Sequence, residues 1–409
     1  MVAVECALAK AQGACGVIPA DAAETISAAL KDFVPDLTAI GAGTDSAGVP
    51  VPALVAQLRN KVGGDAAGHV HFGATSQDII DTTLALVLRD VLDDFEAQLG
   101  QIIASLGDQA RTHHDTVMLA RTRMQQAAPT TFGLKVVNWR EPLLRNCARL
   151  NELRSRLLVV QLGGAAGTLA PLGVDGQAVR EKMAELLGLG VTNMPWQNQR
   201  DGIAEFASWL SLTTGALGKM GLDIGLLAQS EVGELRETGE AGKGGSSTLP
   251  QKSNPVGSEV LVTLARYNAN AVAGIHQALL HEGERSGAAW SLEWLTLPGM
   301  ILAASGALAH SVRLASGLVV NADRMLANID ATNGLCLAEA ASFALAEHMP
   351  KAEAQTLVTE ACGETSRSGQ NLIAILESRT DAPVDWRALE RPENYLGSSA
   401  AFIAAALKV

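Results

Sequence analysis

Residues Gly239–Glu259 read GEAGKGGSSTLPQKSNPVGSE, and the rest of the chain is organised around them. Gly239, Gly242, Gly244 and Gly245 crowd the first part and lead into Ser246 and Ser247. Glycine opens backbone angles that other residues avoid, at a cost in chain entropy, so this part reads as a loop able to move. Pro250, Lys252, Asn254 and Pro255 follow, and the apolar run from Val256 has helical character. Pro255 suits the first turn of that helix, with Asn254 as its cap. The stretch thus presents two hydroxyls on a loop, then one cation and one amide at a helix start. Lysine and a helix N-terminus both attract anions. A Gly/Ser linker with a stray lysine is the bland alternative.

The composition around this loop narrows the choices. With 409 residues the chain exceeds what one core usually supports, so two or three domains are expected. Apolar residues make up 48% but aromatics only 4%, so small and aliphatic side chains on closely approaching helices must supply the packing. No uninterrupted apolar run of about 18 residues occurs, and no membrane span is expected. The first residues lack a basic segment followed by a long apolar core, so they do not read as a signal peptide. Cys6, Cys15, Cys147, Cys336 and Cys362 are scattered without CxxC spacing, which fits a reducing cytoplasm and argues against zinc or disulfides. A net charge of −12 disfavours nucleic acid as a partner.

Apolar positions in the first 35 residues keep helical spacing, and these helices carry no evident chemistry. Gly73, Thr75, Ser76, Gln77 and Asp78 fill a turn ahead of an apolar-periodic helix, where Thr75 or Ser76 could act simply as a cap. From Leu84 onward Leu88, Val91, Leu92, Phe95, Leu99, Ile102, Ile103 and Leu106 recur every three to four residues. Similar patterns return around 131–160, 203–236, 256–281 and 290–320. Five long helices and few alternating β-branched runs predict an elongated all-α bundle.

The order of residues in GSSTLPQKSNP closely resembles the signature of the fumarase/aspartase/argininosuccinate lyase superfamily, with Leu249 in place of the usual Met. HFGATSQDIIDT resembles that superfamily's first block, in which His71 matches and the neighbouring His69 does not. LARTRMQQAAPTTFG resembles its second block, with Thr122 and Gln125 matching and Arg123 standing where most members have His. Trp196, Arg200 and Asp201 in PWQNQRD, and the segment Glu284–Gly299, match further blocks. The C-terminal part, IDATNGLCLAEAASFALAE and PENYLGSSAAFIAAAL, resembles the branch of bacterial 3-carboxy-cis,cis-muconate cycloisomerases in particular. The resemblance implies three all-α domains, expected at 1–77, 78–325 and 326–409, with a tetrameric twenty-helix core and sites shared between subunits. It implies a cytoplasmic enzyme without cofactor or metal, acting on a small polycarboxylate. Ser246, Ser247, Lys252, Arg123 and Glu259 are then the catalytic candidates. His71, Thr75, Ser76, Thr122, Gln125, Trp196, Arg200 and Asn254 are the substrate-binding ones.

Arg123 bears on the chemistry. Superfamily lyases expel an amine or hydroxide, which needs protonation by a general acid usually linked to the missing histidine. A cycloisomerase adds or expels the substrate's own carboxylate, whose reference pKa near 4 makes that proton unnecessary. A tricarboxylate suits arginine, which stays charged and presents a planar fork. By the same resemblance Glu259, five residues after Asn254, is expected to orient Arg123, from a neighbouring subunit. An elimination lyase releasing fumarate and a non-catalytic structural protein on this fold remain the alternatives, and a surface salt bridge is the bland role for Arg123.

Overall fold

The computed structural model describes residues 1–237, 245, 248–249 and 252–408. Four helices open the chain: α1 (Val2–Ala14), α2 (Ala20–Leu30), α3 (Leu37–Ala47) and α4 (Val51–Val62). Their limits have local causes. Asp36 accepts hydrogen bonds from the amides of Thr38 and Ala39 to cap α3, and Gly48 ends it at φ 73°.

The expected long helices follow as α5 (Ser76–Thr112), α6 (Phe132–Leu157), then after the shorter α7 (Gly176–Leu187), α8 (Asp201–Leu227), α9 (Val256–Gln277) and α10 (Gly287–Gly317). In α5 Ile79, Leu88, Leu92, Phe95, Leu99, Ile102 and Leu106 are all buried, as their spacing predicts. After α10 come α11 (Ala322–Asp330), α12 (Ala338–Ala346), α13 (Lys351–Ser368), α14 (Leu372–Arg379), α15 (Trp386–Leu389) and α16 (Ser399–Ala406).

Two short antiparallel pairs interrupt the helices. β1 (Val117–Thr122) pairs with β2 (Gln125–Thr131), and β3 (Leu235–Glu237) pairs with β4 (Leu318–Val320). The β1–β2 hairpin falls on the second sequence block, where helical periodicity alone gave no strand.

By internal contacts the chain forms two compact units. The first comprises Met1–Ala97, Cys147–Ser211 and Asn268–Leu302, and the second Gln98–Asn146, Leu212–Tyr267 and Ala303–Val409. Each long helix contributes residues to both units. The first unit's core gathers Leu8, Ile26, Leu54, Leu58, Ile79 and Met183, among others. A core of the second gathers Leu337, Leu345, Val358, Leu372 and Leu376.

Small residues set the spacing of α8 and α9 in the second unit. A Cβ on Gly218 of α8 would lie 2.5 Å from the Ala265 Cβ of α9, and one on Gly221 would lie 2.8 Å from the Ser258 carbonyl oxygen. Such contacts admit only glycine, so the low aromatic content is matched by close backbone approach. α10 is long and apolar enough, by length and composition, to cross a membrane. Its Ala303, Ala304, Ala307 and Leu308 are buried within the protein, and its Glu293 is held in an ion cluster described below.

Candidate active site

In the first unit, the loop between α4 and α5 carries the first group of candidates. Asp78 supplies its half of the expected capping box, accepting from the Thr75 amide at Oδ2 (3.0 Å), while its own amide donates to the Thr75 carbonyl (3.0 Å) rather than to the hydroxyl. Asp78 does more than cap. Its carboxylate also accepts from the amides of Gly163 (2.8 Å) and Gly164 (2.9 Å) and from Gln161 Nε2 (3.0 Å). Burial pushes its pKa up, against the pull of these donors. The 161–164 loop is thereby tied to the start of α5, where Ser76 is the first helical residue.

Arg285 closes over this junction. Its Nε donates to Gln77 Oε1 (2.8 Å), its Nη2 to the Gly164 carbonyl (3.0 Å), and its Nη1 lies 3.5 Å from the Thr75 hydroxyl. All three partners are neutral. A half-buried guanidinium held by neutral acceptors suits an incoming anion. Arg285 lies within Glu284–Gly299, and spacing along the sequence gives no sign of it because its partners at 75, 77 and 164 are distant in sequence. His71, earlier in the same loop, adopts φ 64° and bonds through Nδ1 to Glu5 Oε1 at 2.7 Å.

In the second unit, Thr122, Arg123 and Gln125 come together at the tip of the β1–β2 hairpin. Thr122 and Gln125 are register partners, and Arg123 and Met124 form the two-residue turn with φ 49° and 68°. Positive φ at both central positions gives the twist a two-residue hairpin prefers, but it strains side chains other than glycine or asparagine. Arg123 is exposed at the tip. The hairpin is fastened from below: Arg121 forks onto the fully buried Glu234 at 2.9 and 2.6 Å, and Asn328 Nδ2 holds the same carboxylate at 2.7 Å. No ion pair joins Arg123 to Glu259 within the chain, among the described residues; Glu259 is exposed in the first turn of α9.

The helix start predicted after the glycine-rich loop is present. Pro255 occupies the cap position, its carbonyl accepting from the Glu259 amide at 3.0 Å. The expected side-chain cap is corrected. Glu237, from the other side of the loop, accepts from the Gly257 amide (3.0 Å), the Ser258 amide (2.7 Å) and the Ser258 hydroxyl (2.6 Å). A carboxylate at this positive end outcompetes the neutral amide of Asn254. Asn254 instead borders a cleft of about 570 Å³ with Arg236, Glu237, Ser253, Asn321 and Asp323. Lys252 is exposed, with no carboxylate partner among the described residues, and Gly245 and Ser253 form an isolated antiparallel bridge. Ser246 and Ser247 lie outside the described residues.

The sequence profile of the lyase family matches residues 1–268, and the whole chain is 42% identical to 3-carboxy-cis,cis-muconate cycloisomerase of Pseudomonas aeruginosa, covering 90% of it. The chain belongs to the lyase family. Among solved structures, the 3-carboxy-cis,cis-muconate lactonizing enzyme of Pseudomonas putida superposes with a TM-score of 0.93 at 40% identity. That match covers 100% of this chain and 93% of the other. A fumarate lyase from Mesorhizobium sp. BNC1 also superposes at 0.93, with 37% identity over 100% and 94% of the two chains.

Two candidates that this lyase shares with the superfamily blocks are turned inward. Arg200, 2% exposed, meets Asp81 at 2.6 and 3.2 Å and Glu293 at 2.9 and 2.5 Å. Burial alone disfavours its charge, but the two carboxylates offset this and raise its pKa, so it stays an ion at every working pH. The Trp196 ring lies 4.8 Å from the guanidinium carbon, and its Nε1 donates to the Val160 carbonyl at 3.2 Å. Within the chain, Arg200 and Trp196 are thus engaged with each other and with Asp81, Glu293 and Val160. Both partners of the guanidinium are carboxylates already, and the ring is packed beneath it. Arg285 of the same unit, by contrast, is held by neutral groups.

Proposed function

We propose that the protein closes 3-carboxy-cis,cis-muconate to 4-carboxymuconolactone, a step of protocatechuate degradation in the β-ketoadipate route. One carboxylate oxygen of the substrate adds to the diene, forming a C–O bond as a C=C bond is lost. A proton goes to the neighbouring carbon, α to another carboxylate, and nothing is oxidised or reduced. Ser246, with Ser247 beside it, serves as the loop acid. Lys252 and Asn254 hold the carboxylate whose α-carbon receives the proton and stabilise its enediolate. His71, Thr75, Ser76, Thr122 and Gln125 bind the remaining oxygens, and no cofactor takes part.

Arg123 carries this reading. It is an exposed arginine in a strained turn, with no carboxylate partner in its own chain among the described residues, at the position where superfamily eliminations use histidine. Arg285, also held by neutral groups, supports a substrate with several carboxylates. The active assembly is a cytoplasmic homotetramer with sites shared between subunits, and the 1–77, 78–325 and 326–409 division describes its protomer. Exposed Leu212 and Leu222 on α8, and Leu295 and Leu302 on α10, support burial of the long helices against other copies. Mixing an inactive Arg123 variant with an inactive Lys252 variant then restores part of the turnover.

Turnover in deuterium oxide tests the chemistry. Proton NMR of the product should show the lactone with one deuterium on the carbon α to a carboxylate. Release of fumarate from an aspartyl adduct, with no lactone formed, would favour an elimination lyase instead.

A further inference from the structure

Glu5 sits on the buried face of α1 and is 2% exposed. Its Oε1 lies 2.7 Å from His71 Nδ1, while its Oε2 is buried without a hydrogen-bond partner among the described residues. A carboxylate withdrawn from water in this way is costly unless its partner directs a proton at it. His71 is the partner, and it is held at φ 64°, in the left-handed region that few side chains other than glycine occupy.

The neighbouring backbone is gripped as well. Gln12 of α1 donates to the Phe72 carbonyl at 2.6 Å, and Arg59 of α4 donates to the Val70 carbonyl at 3.1 Å. Three side chains from two helices thus fix three successive residues. A loop that only connected α4 to α5 would have no use for that fixing at a strained position. Four residues on, the same loop delivers Thr75 to Arg285.

We propose that Glu5 is a positioning residue for the lactonisation: it accepts Nδ1–H of His71 and fixes the ring so that, when a substrate carboxylate arrives, the ring takes up a second proton from solvent and its Nε2–H donates to that carboxylate. A carboxylate on one ring nitrogen orients the imidazole and favours its doubly protonated form, in which the other nitrogen donates. The role in turnover rests on the reading given under Proposed function, whereas the pair itself does not.

Glu5→Gln tests it in the intact oligomer. The amide keeps the shape and an acceptor for Nδ1–H but carries no charge. KM should rise about tenfold, as for loss of one charge-assisted hydrogen bond, with kcat changed less. In a His71→Asn background the same substitution should add no further loss. Nitrogen-15 NMR of the wild type should show His71 protonated at Nδ1 at neutral pH, with the signal moved in Glu5→Gln. Losses that multiply in the double variant would assign Glu5 to core packing and overturn the proposal, as would a His71 whose Nδ1 is unprotonated. Should Glu5→Gln fail to fold, the wild-type spectrum decides. A wild type inert toward 3-carboxymuconate would defeat the function reading alone, because the spectrum needs no substrate.

Discussion

The Glu237 carboxylate sits on Ser258, accepting from its amide at 2.7 Å and from its hydroxyl at 2.6 Å. Glu237 ends β3 on one side of the glycine-rich loop, and Ser258 lies in the first turn of α9 on the other. One side chain therefore ties both stems of the loop and satisfies two amides that the helix leaves open. Glu237→Gln weakens this by about 1–2 kcal/mol, the usual worth of a helix cap or a charged hydrogen bond. Hydrogen exchange at Gly257 and Ser258 should accelerate about tenfold, with turnover reduced. Unchanged exchange would mean that the cap is not what holds the stems.

Arg200 is a support for the fold, and its loss should be felt there first. Arg200→Met leaves Asp81 and Glu293 buried without a counter-charge, which costs about 3–5 kcal/mol. Urea unfolding should show that loss, while KM of the folded fraction stays near the wild-type value. A stable variant with a raised KM would return Arg200 to the substrate.

His281 gives stability a pH dependence. Both its ring nitrogens are buried without partners among the described residues. Burial lowers its pKa below 6.5, and the Arg200 charge lowers it further. As pH falls through 6.5 the unfolded chain takes up the proton before the folded protein does, so stability declines on the acid side. His113, lowered mainly by burial, acts with the same sign. Unfolding free energies measured from pH 7.5 down to about 5.5 should fall, and His281→Asn should flatten the fall. An equally steep decline in that variant would remove His281 from the explanation.

The hairpin tip predicts a separation of stability from function. Met124→Gly and Arg123→Gly each relieve a left-handed side chain, worth about 1 kcal/mol. Both should raise the urea midpoint, but only Met124→Gly should keep full turnover. If Arg123→Gly is as active as wild type, the arginine has a surface role only.

The long helices were legible because burial follows spacing. Leu88, Leu92, Phe95, Leu99 and Leu106 show it along a single helix. The hairpin was not legible, since its turn residues Arg123 and Met124 lack the Asn-Gly chemistry that announces a two-residue loop. The cap of α9 was sought next door at Asn254, whereas the acceptor comes from Glu237, brought close only by folding of the chain. The same distance hid the burial of Arg200, whose partners Asp81 and Glu293 lie 119 and 93 residues away. Local order reveals which residues are unusual; which of them face one another is decided by the fold.

The most direct test of the account is an ultraviolet assay of the purified wild-type protein with 3-carboxy-cis,cis-muconate. Lactone closure consumes one double bond of the conjugated diene, so absorbance should fall with time without any added metal or cofactor. Arg123→Ala and Ser246→Ala should each slow the fall at least a hundredfold, the usual scale for losing a positioned acid or a charge on the reacting group. A diene left intact by the folded wild type, together with fumarate released from adenylosuccinate or argininosuccinate, would contradict it.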